Sequence, residues 1–143
     1  MRHAGSCHCG NLKLEFETAL DPAALPLRAC QCSFCRRHVA LSTSDPAGSV
    51  RVSVTDASEL QRYRFGLGIT DFVICRRCGV YLLAMMEIDS GLYAVLNANV
   101  LECRAAMTGE IQPMEYGGED EAARLARRKT RWTRVTALEG LWT

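Results

Sequence analysis

The chain lacks a dominant charge. Its formal net charge is +1 over 143 residues, with 17 basic and 16 acidic side chains, so no global field draws it to nucleic acid or to an anionic membrane surface. It lacks a long apolar run as well: nothing approaches the roughly eighteen residues of a membrane span, and the stretch from Met1 to Cys7 contains no apolar leader. These absences predict a soluble, cytoplasmic protein with no membrane partner. No low-complexity segment is present, and no internal repeat beyond recurring cysteine pairs. A 15.8 kDa chain with 48% hydrophobic residues fits one domain, residues 1–143; at about 150 residues roughly two-thirds of the unfolded surface is buried, enough for a real core.

What the chain does have is eight cysteines. Thiols are kept reduced in the cytosol, where a disulfide framework is out of place, so clustered cysteines there suggest metal. They fall into a pair (Cys7, Cys9), a triplet (Cys30, Cys32, Cys35), a second pair (Cys75, Cys78) and the separate Cys103.

Between the clusters the sequence alternates with period two. Leu12-Lys-Leu14-Glu-Phe16-Glu and Val50-Arg-Val52-Ser-Val54 read as half-buried strands. Shorter strands are expected over Val39–Ser44, Leu60–Phe65, Thr70–Ile74, Val80–Glu87 and Leu92–Leu96. Gly66-Leu-Gly68 and Asp89-Ser90-Gly91 supply turns between them. Two prolines make Asp21–Pro26 a loop. Six or seven short strands predict a mainly β domain built from antiparallel sheet.

One helix is expected, from about Glu119 to Arg131. Acidic residues occupy its first turn and Arg127, Arg128, Lys129 and Arg131 its last, the order the helix dipole favours. Six basic residues between Arg124 and Arg134 invite a nucleic-acid reading. Against it stand the near-zero net charge and a single interleaved aromatic, Trp132, so a solvated helix face is the expectation.

Ligand counting separates the clusters. A structural zinc takes four closed tetrahedral ligands, and joining the two pairs supplies Cys7, Cys9, Cys75 and Cys78. Glycine after the second cysteine of each pair, Gly10 and Gly79, relieves the tight turn; a lone Cys-x-x-Cys would equally suit a redox dithiol. Cys30, Cys32 and Cys35 are then left for a second zinc. Three protein ligands with an open position is the catalytic pattern, and such a site holds its ion less firmly. The alternative is a second closed site completed by Cys103 or a histidine. His38, three residues past Cys35, is a ligand or base by proximity alone, as are His3 and His8 beside the first pair. Paired arginines follow Cys35 (Arg36-Arg37) and Cys75 (Arg76-Arg77). They either compensate thiolate charge or, for Arg37 beside the open site, receive an anionic substrate.

Ser6-Cys7-His8-Cys9-Gly10, Cys30-Gln-Cys32-Ser-Phe-Cys35-Arg36-Arg37, Tyr63-Arg64-Phe65-Gly66 and Cys75-Arg-Arg-Cys78-Gly79-Val80 together resemble the glutathione-dependent formaldehyde-activating enzyme family, also called the centromere-protein-V family. The likeness runs from about Gly5 to Leu101, and an ending with Gly117-Gly118-Glu119-Asp120 and Trp132 is similar to bacterial members, a C-terminal extension of about 117–134. The resemblance implies an Mss4-like β-tent of antiparallel sheets stapled by zinc. It implies a structural zinc on Cys7, Cys9, Cys75 and Cys78 and a catalytic zinc on Cys30, Cys32 and Cys35. The activity it implies is carbon–sulfur lyase chemistry, joining formaldehyde to glutathione. Where many relatives carry a polar or histidine side chain after Cys78-Gly79, this chain has Val80-Tyr81-Leu82-Leu83 and Met85-Met86, an apolar wall suited to a less polar partner. The competing class is a non-catalytic, zinc-stapled binding module using the basic helix or a sheet edge.

Overall fold

The computed structural model describes residues 1–140. The protein is mainly β, 42% strand and 22% helical, with one large mixed sheet and two α-helices. Strands β1 (Arg2–Ser6), β2 (Leu12–Glu17), β3 (Leu27–Cys30), β4 (Ser42–Thr43) and β5 (Ser49–Val54) make up the first half, with helix α1 (Ser33–His38) between β3 and β4. The second half holds β6 (Leu60–Tyr63), β7 (Asp71–Cys75), β8 (Tyr81–Ile88), β9 (Gly91–Asn97), β10 (Ile111–Met114), helix α2 (Glu121–Arg131) and β11 (Thr133–Glu139).

β2 and β5 follow from their alternation: Leu12, Leu14, Phe16, Val50, Val52 and Val54 are all buried, and the antiparallel register sets Leu14 against Val52 and Phe16 against Val50. Burying a large aliphatic or aromatic side chain is worth about 1.5–3 kcal/mol, so this pair alone anchors much of the larger core.

β9 is the fork on which the tent is built. One edge pairs with β8 along its length, from Ile88↔Gly91 to Leu83↔Leu96. The other edge is shared end to end: Tyr93 and Ala94 pair with β11, and Leu96 and Asn97 with β4. Two arms therefore diverge from one strand, β11-β5-β2-β1 on one side and β4-β3-β10 on the other. The β8–β9 hairpin closes through Asp89 and Ser90, both at positive φ (48° and 68°), the backbone of a two-residue turn matched to strand twist.

Two cores result. The larger holds Leu12, Phe16, Val50, Leu83 and Leu96, and the smaller holds Cys35, Phe72, Tyr81, Met86 and Trp132. β8 serves both, because its alternation sends Leu83 and Met85 one way and Ala84 and Met86 the other. A register shift opposite Val73 and Ile74 interrupts that alternation at Leu82. Such a bulge re-aims side chains: Leu82 joins the larger core, and Tyr81 turns into the smaller one.

The structure departs from the sequence reading at identifiable places. The stretch Ser33–His38 is helical, and Val39, expected to begin a strand, instead caps α1 in the left-handed region (φ 49°) with 77% of its surface exposed. β10 pairs with β3 and β11 with β5 in parallel, so the sheet is mixed rather than purely antiparallel. β11 lies centrally, between β5 and β9, which makes the segment after residue 117 part of the same sheet. Helix α2 begins at Glu121, capped by the Asp120 carboxylate accepting from the Ala123 amide at 2.8 Å. No helix among the described residues is long and apolar enough to cross a membrane.

Candidate metal centres and cavity

The two cysteine pairs, 68 residues apart in sequence from Cys7 to Cys75, meet at one end of the sheet. The sulfurs of Cys7, Cys9, Cys75 and Cys78 all lie within 4.8 Å of one another. Cys7 and Cys9 are 3.7 Å apart, Cys9 and Cys75 3.6 Å. A sulfur tetrahedron about a zinc ion at about 2.3 Å has edges of about 3.8 Å, so these four residues fit zinc. Both knuckles are made the same way. The Cys7 amide donates to the Leu12 carbonyl and the Cys75 amide to the Val80 carbonyl, each at 3.0 Å. Gly10 (φ 84°) and Gly79 (φ 81°) take the left-handed turn that glycine adopts at no steric cost. Burial pushes the Cys75 thiol up to about 12; a thiolate there needs a cation beside it.

The triplet is assembled locally. Cys30 ends β3, Cys32 is the N-cap of α1, and Cys35 lies inside that helix. The Cys35 amide donates to the Cys32 sulfur at 3.4 Å. All three sulfurs lie within 4.8 Å of one another, and among the described residues no fourth histidine, cysteine or carboxylate joins them. Hydrogen bonds from the Cys30 and Cys35 thiols hold Cys32 far below the usual thiol range, while those same contacts push Cys30 and Cys35 up. One thiolate forms at the expense of the other two. Three together require a cation, which is the condition a metal site meets.

The triplet lines a cavity of about 240 Å³, below the roughly 300–1,000 Å³ of pockets for drug-sized ligands. One wall is apolar: Phe65, Leu67, Ile69, Phe72 and the Tyr81 ring. Tyr81 is 2% exposed; burial, and then the neighbouring thiols, raise its phenol well above the ordinary value. The lining is also basic, with Arg28 from β3 and Arg124, Arg127, Arg128 and Arg131 from α2, beside Trp132 and Tyr116.

Four of the five arginines are held by side-chain hydrogen bonds. Arg127 grips Glu119 with two hydrogen bonds, Nε to Oε2 at 2.8 Å and Nη2 to Oε1 at 3.0 Å, and lies 3.6 Å over the Tyr116 ring. Arg124 donates to the Tyr116 carbonyl at 3.1 Å. Arg128 donates to the Thr70 hydroxyl at 2.6 Å and lies 4.5 Å from the centre of the Trp132 ring. Burial, and then Arg127 and Arg124, lower Arg128 to about 10. Burial similarly lowers Arg28, which donates to the Ser44 hydroxyl at 3.0 Å.

Other residues singled out from sequence lie elsewhere. Arg37 is exposed and donates to the Ser33 carbonyl of its own helix at 3.0 Å; neither it nor Arg36 lines the cavity. His38 is exposed, its ring 4.4 Å from Phe34. Cys103 packs against the larger core and His3 against Phe16, so neither reaches the triplet. Arg77 makes an exposed contact with Asp56 at 3.4 Å. Leu82, Leu83 and Met85 belong to the larger core, so of the apolar run after Cys78 it is Tyr81 that faces the cavity. The basic lining was missed because α2 was read as a solvated face. The signal available was Trp132, a large aromatic at the helix end whose burial draws the last turn of α2 against the smaller core.

A mainly β tent with one cluster of four cysteines and one of three defines the class: a protein whose cysteine clusters could hold metal ions, with a geometry consistent with zinc. The sequence matches the glutathione-dependent formaldehyde-activating enzyme family over residues 2–115, and the chain belongs to that family. A solved protein from Rhodobacter sphaeroides is 30% identical, with a TM-score of 0.58 over 78% of this chain and 99% of that one.

Proposed function

We propose that the protein is a zinc-dependent carbon–sulfur lyase-type enzyme that forms or cleaves the adduct of a small thiol and an aldehyde. Glutathione and formaldehyde are the pair the family's description offers. The observation that carries this reading is the three-cysteine cluster with no fourth side-chain ligand among the described residues, lining a cavity. Zinc held by Cys30, Cys32 and Cys35, when bound, activates a thiol as thiolate or polarises a carbonyl.

The chemistry balances simply. In the forward direction a sulfur–carbon bond forms, the carbonyl π-bond breaks, and the thiol proton ends on the new hydroxyl oxygen. Tyr81 lines the same cavity as the triplet, and its phenol is a hydrogen-bond donor available to that oxygen. The apolar wall excludes water, which strengthens polar interactions inside. Cys7, Cys9, Cys75 and Cys78 hold a second zinc that ties the sheet ends together. Reduced thiols in both sites suit a cytoplasmic protein.

A nucleic-acid-binding role loses its support, because Arg124, Arg127 and Arg128 line the cavity and Lys129 is paired with Asp89 at 2.7 Å. Arg37, exposed beside the triplet, keeps only a role in guiding anions toward the cavity mouth.

Exchange NMR on formaldehyde, a thiol and their hydroxymethyl adduct tests the reading. Zinc-loaded protein accelerates exchange between free and adduct carbon, and Cys32→Ser abolishes the acceleration. Equal acceleration by both proteins overturns the zinc mechanism.

A further inference from the structure

Five arginines line one small cavity, and Glu115 is the one carboxylate residue in that lining; a second carboxylate, Glu119, lies outside it and pairs with two of the arginines. Glu119 is engaged by Arg124 and Arg127. Glu115 is exposed and turns back on the Gly117 amide at 3.1 Å. Arg28, Arg128 and Arg131 have no carboxylate partner among the described residues. Arg128 is the most confined: its Nη1 is used by Thr70 and by the Met86 sulfur at 3.1 Å, and its Nε is buried with no hydrogen-bond partner. Gathering like charges in a half-buried site is unfavourable unless something of opposite sign completes it.

Two things can do so. One is the thiolate charge of the triplet itself, at −1 for three thiolates on a zinc ion. The other is a ligand anion. Arg28 and Arg128 line the same cavity as the triplet without pairing to any carboxylate, and a hydroxyl holds each in place, Ser44 for Arg28 and Thr70 for Arg128. A guanidinium fixed in this way still offers its remaining N–H donors and its charge to a carboxylate.

We propose that Arg28 and Arg128 form a carboxylate subsite of the cavity, so that the substrate is a small thiol, or its aldehyde adduct, carrying a carboxylate at the end remote from sulfur. The inference rests on the triplet being the thiol-binding site and adds to it the class of thiol. Sulfur sits at the three cysteines, the carboxylate on Arg28 and Arg128, and the connecting carbons lie along Phe72 and Phe65. A cavity of about 240 Å³ favours a compact acid over a peptide.

The test compares two thiols of equal reach, 3-mercaptopropionate and 1-propanethiol, binding to the cobalt-loaded protein and read from the cobalt–thiolate absorption. Propionate, which has no sulfur, is titrated in parallel against the Arg128 Nε–H resonance. Wild type binds the acid at least about tenfold tighter than the alkyl thiol, and propionate shifts the Arg128 signal. Arg128→Gln and Arg28→Gln remove the preference for the acid over the alkyl thiol. Equal affinity for both thiols in wild type overturns the subsite while leaving the thiol site standing. A variant that weakens metal binding yet keeps the preference also overturns it, and shows that Arg128 serves thiolate charge. If neither thiol perturbs the cobalt spectrum while propionate shifts Arg128, the thiol reading fails and the carboxylate subsite survives; no shift with propionate overturns the subsite as well.

Discussion

Arg128 of the C-terminal helix donates its guanidinium to the hydroxyl of Thr70, 58 residues earlier, at 2.6 Å. This bond ties α2 to the residue before β7, and Arg124, Arg127, Arg128 and Arg131 of the helix line the same cavity as the cysteine triplet. Thr70 is 5% exposed, so the bond is made away from bulk water.

Replacing Thr70 with Val keeps the shape and removes the acceptor. A hydrogen bond to a charged group is worth about 1.5–3 kcal/mol, and a buried donor left alone costs its desolvation. Thr70→Val is therefore expected to lower unfolding stability by about 2 kcal/mol in urea at saturating zinc, with an unchanged denaturant slope. A loss below about 0.5 kcal/mol means the bond does not hold the helix.

The two metal clusters are expected to fail differently. Cys7→Ser opens the four-sulfur site that joins strand ends far apart in sequence, so it loses zinc and cooperative folding together. Cys32→Ser loses one zinc per chain but keeps the dispersed NMR spectrum of a folded sheet, since α1 is a local element whose serine N-cap is as good as cysteine. Elemental analysis with NMR separates the two. Unfolding in both variants contradicts the division of roles.

Glu119 gives the pH dependence. Two hydrogen bonds from Arg127, then the charges of Arg127 and Arg124, hold its carboxyl below the usual range. A folded-state value lowered in this way stabilises the protein above the ordinary carboxylate value of about 4.3. That contribution is lost as pH falls through the lowered folded value. Wild type should thus exceed Glu119→Gln in stability by about 1 kcal/mol at neutral pH. The gap closes below about pH 4. Measuring the difference between the two proteins removes the acid loss of zinc common to both. A gap that persists unchanged into acid contradicts the pairing.

Much of the metal architecture was legible in the chain because cysteine spacing is local and glycine marks the knuckles: Cys7, Cys9, Cys75 and Cys78 form one cluster and Cys30, Cys32 and Cys35 another. The strands that alternate cleanly, such as Leu12–Glu17, appear where their pattern puts them. The hidden parts have physical reasons. β10, with Pro113 and every residue but Met114 exposed, carries no burial pattern. β11 pairs in parallel with β5, some 85 residues away at Arg134↔Ser49, a partnership no local signal encodes. Tyr81 reaches the cavity through a bulge at Leu82 that strict period-two reading assigns to the wrong face. The α2 arginines looked solvated because the acids beside them balance their charge along the sequence, whereas in space Glu119 meets only two of them.

The central claim is that one zinc ion has three protein sulfurs and an open position. X-ray absorption at the zinc edge measures it directly on protein loaded with two ions. The account predicts about 3.5 sulfurs per zinc on average, from one closed site and one open site, rising to about 4 when a small thiol is added. Four sulfurs per zinc before any thiol is present, or no rise on its addition, would contradict it.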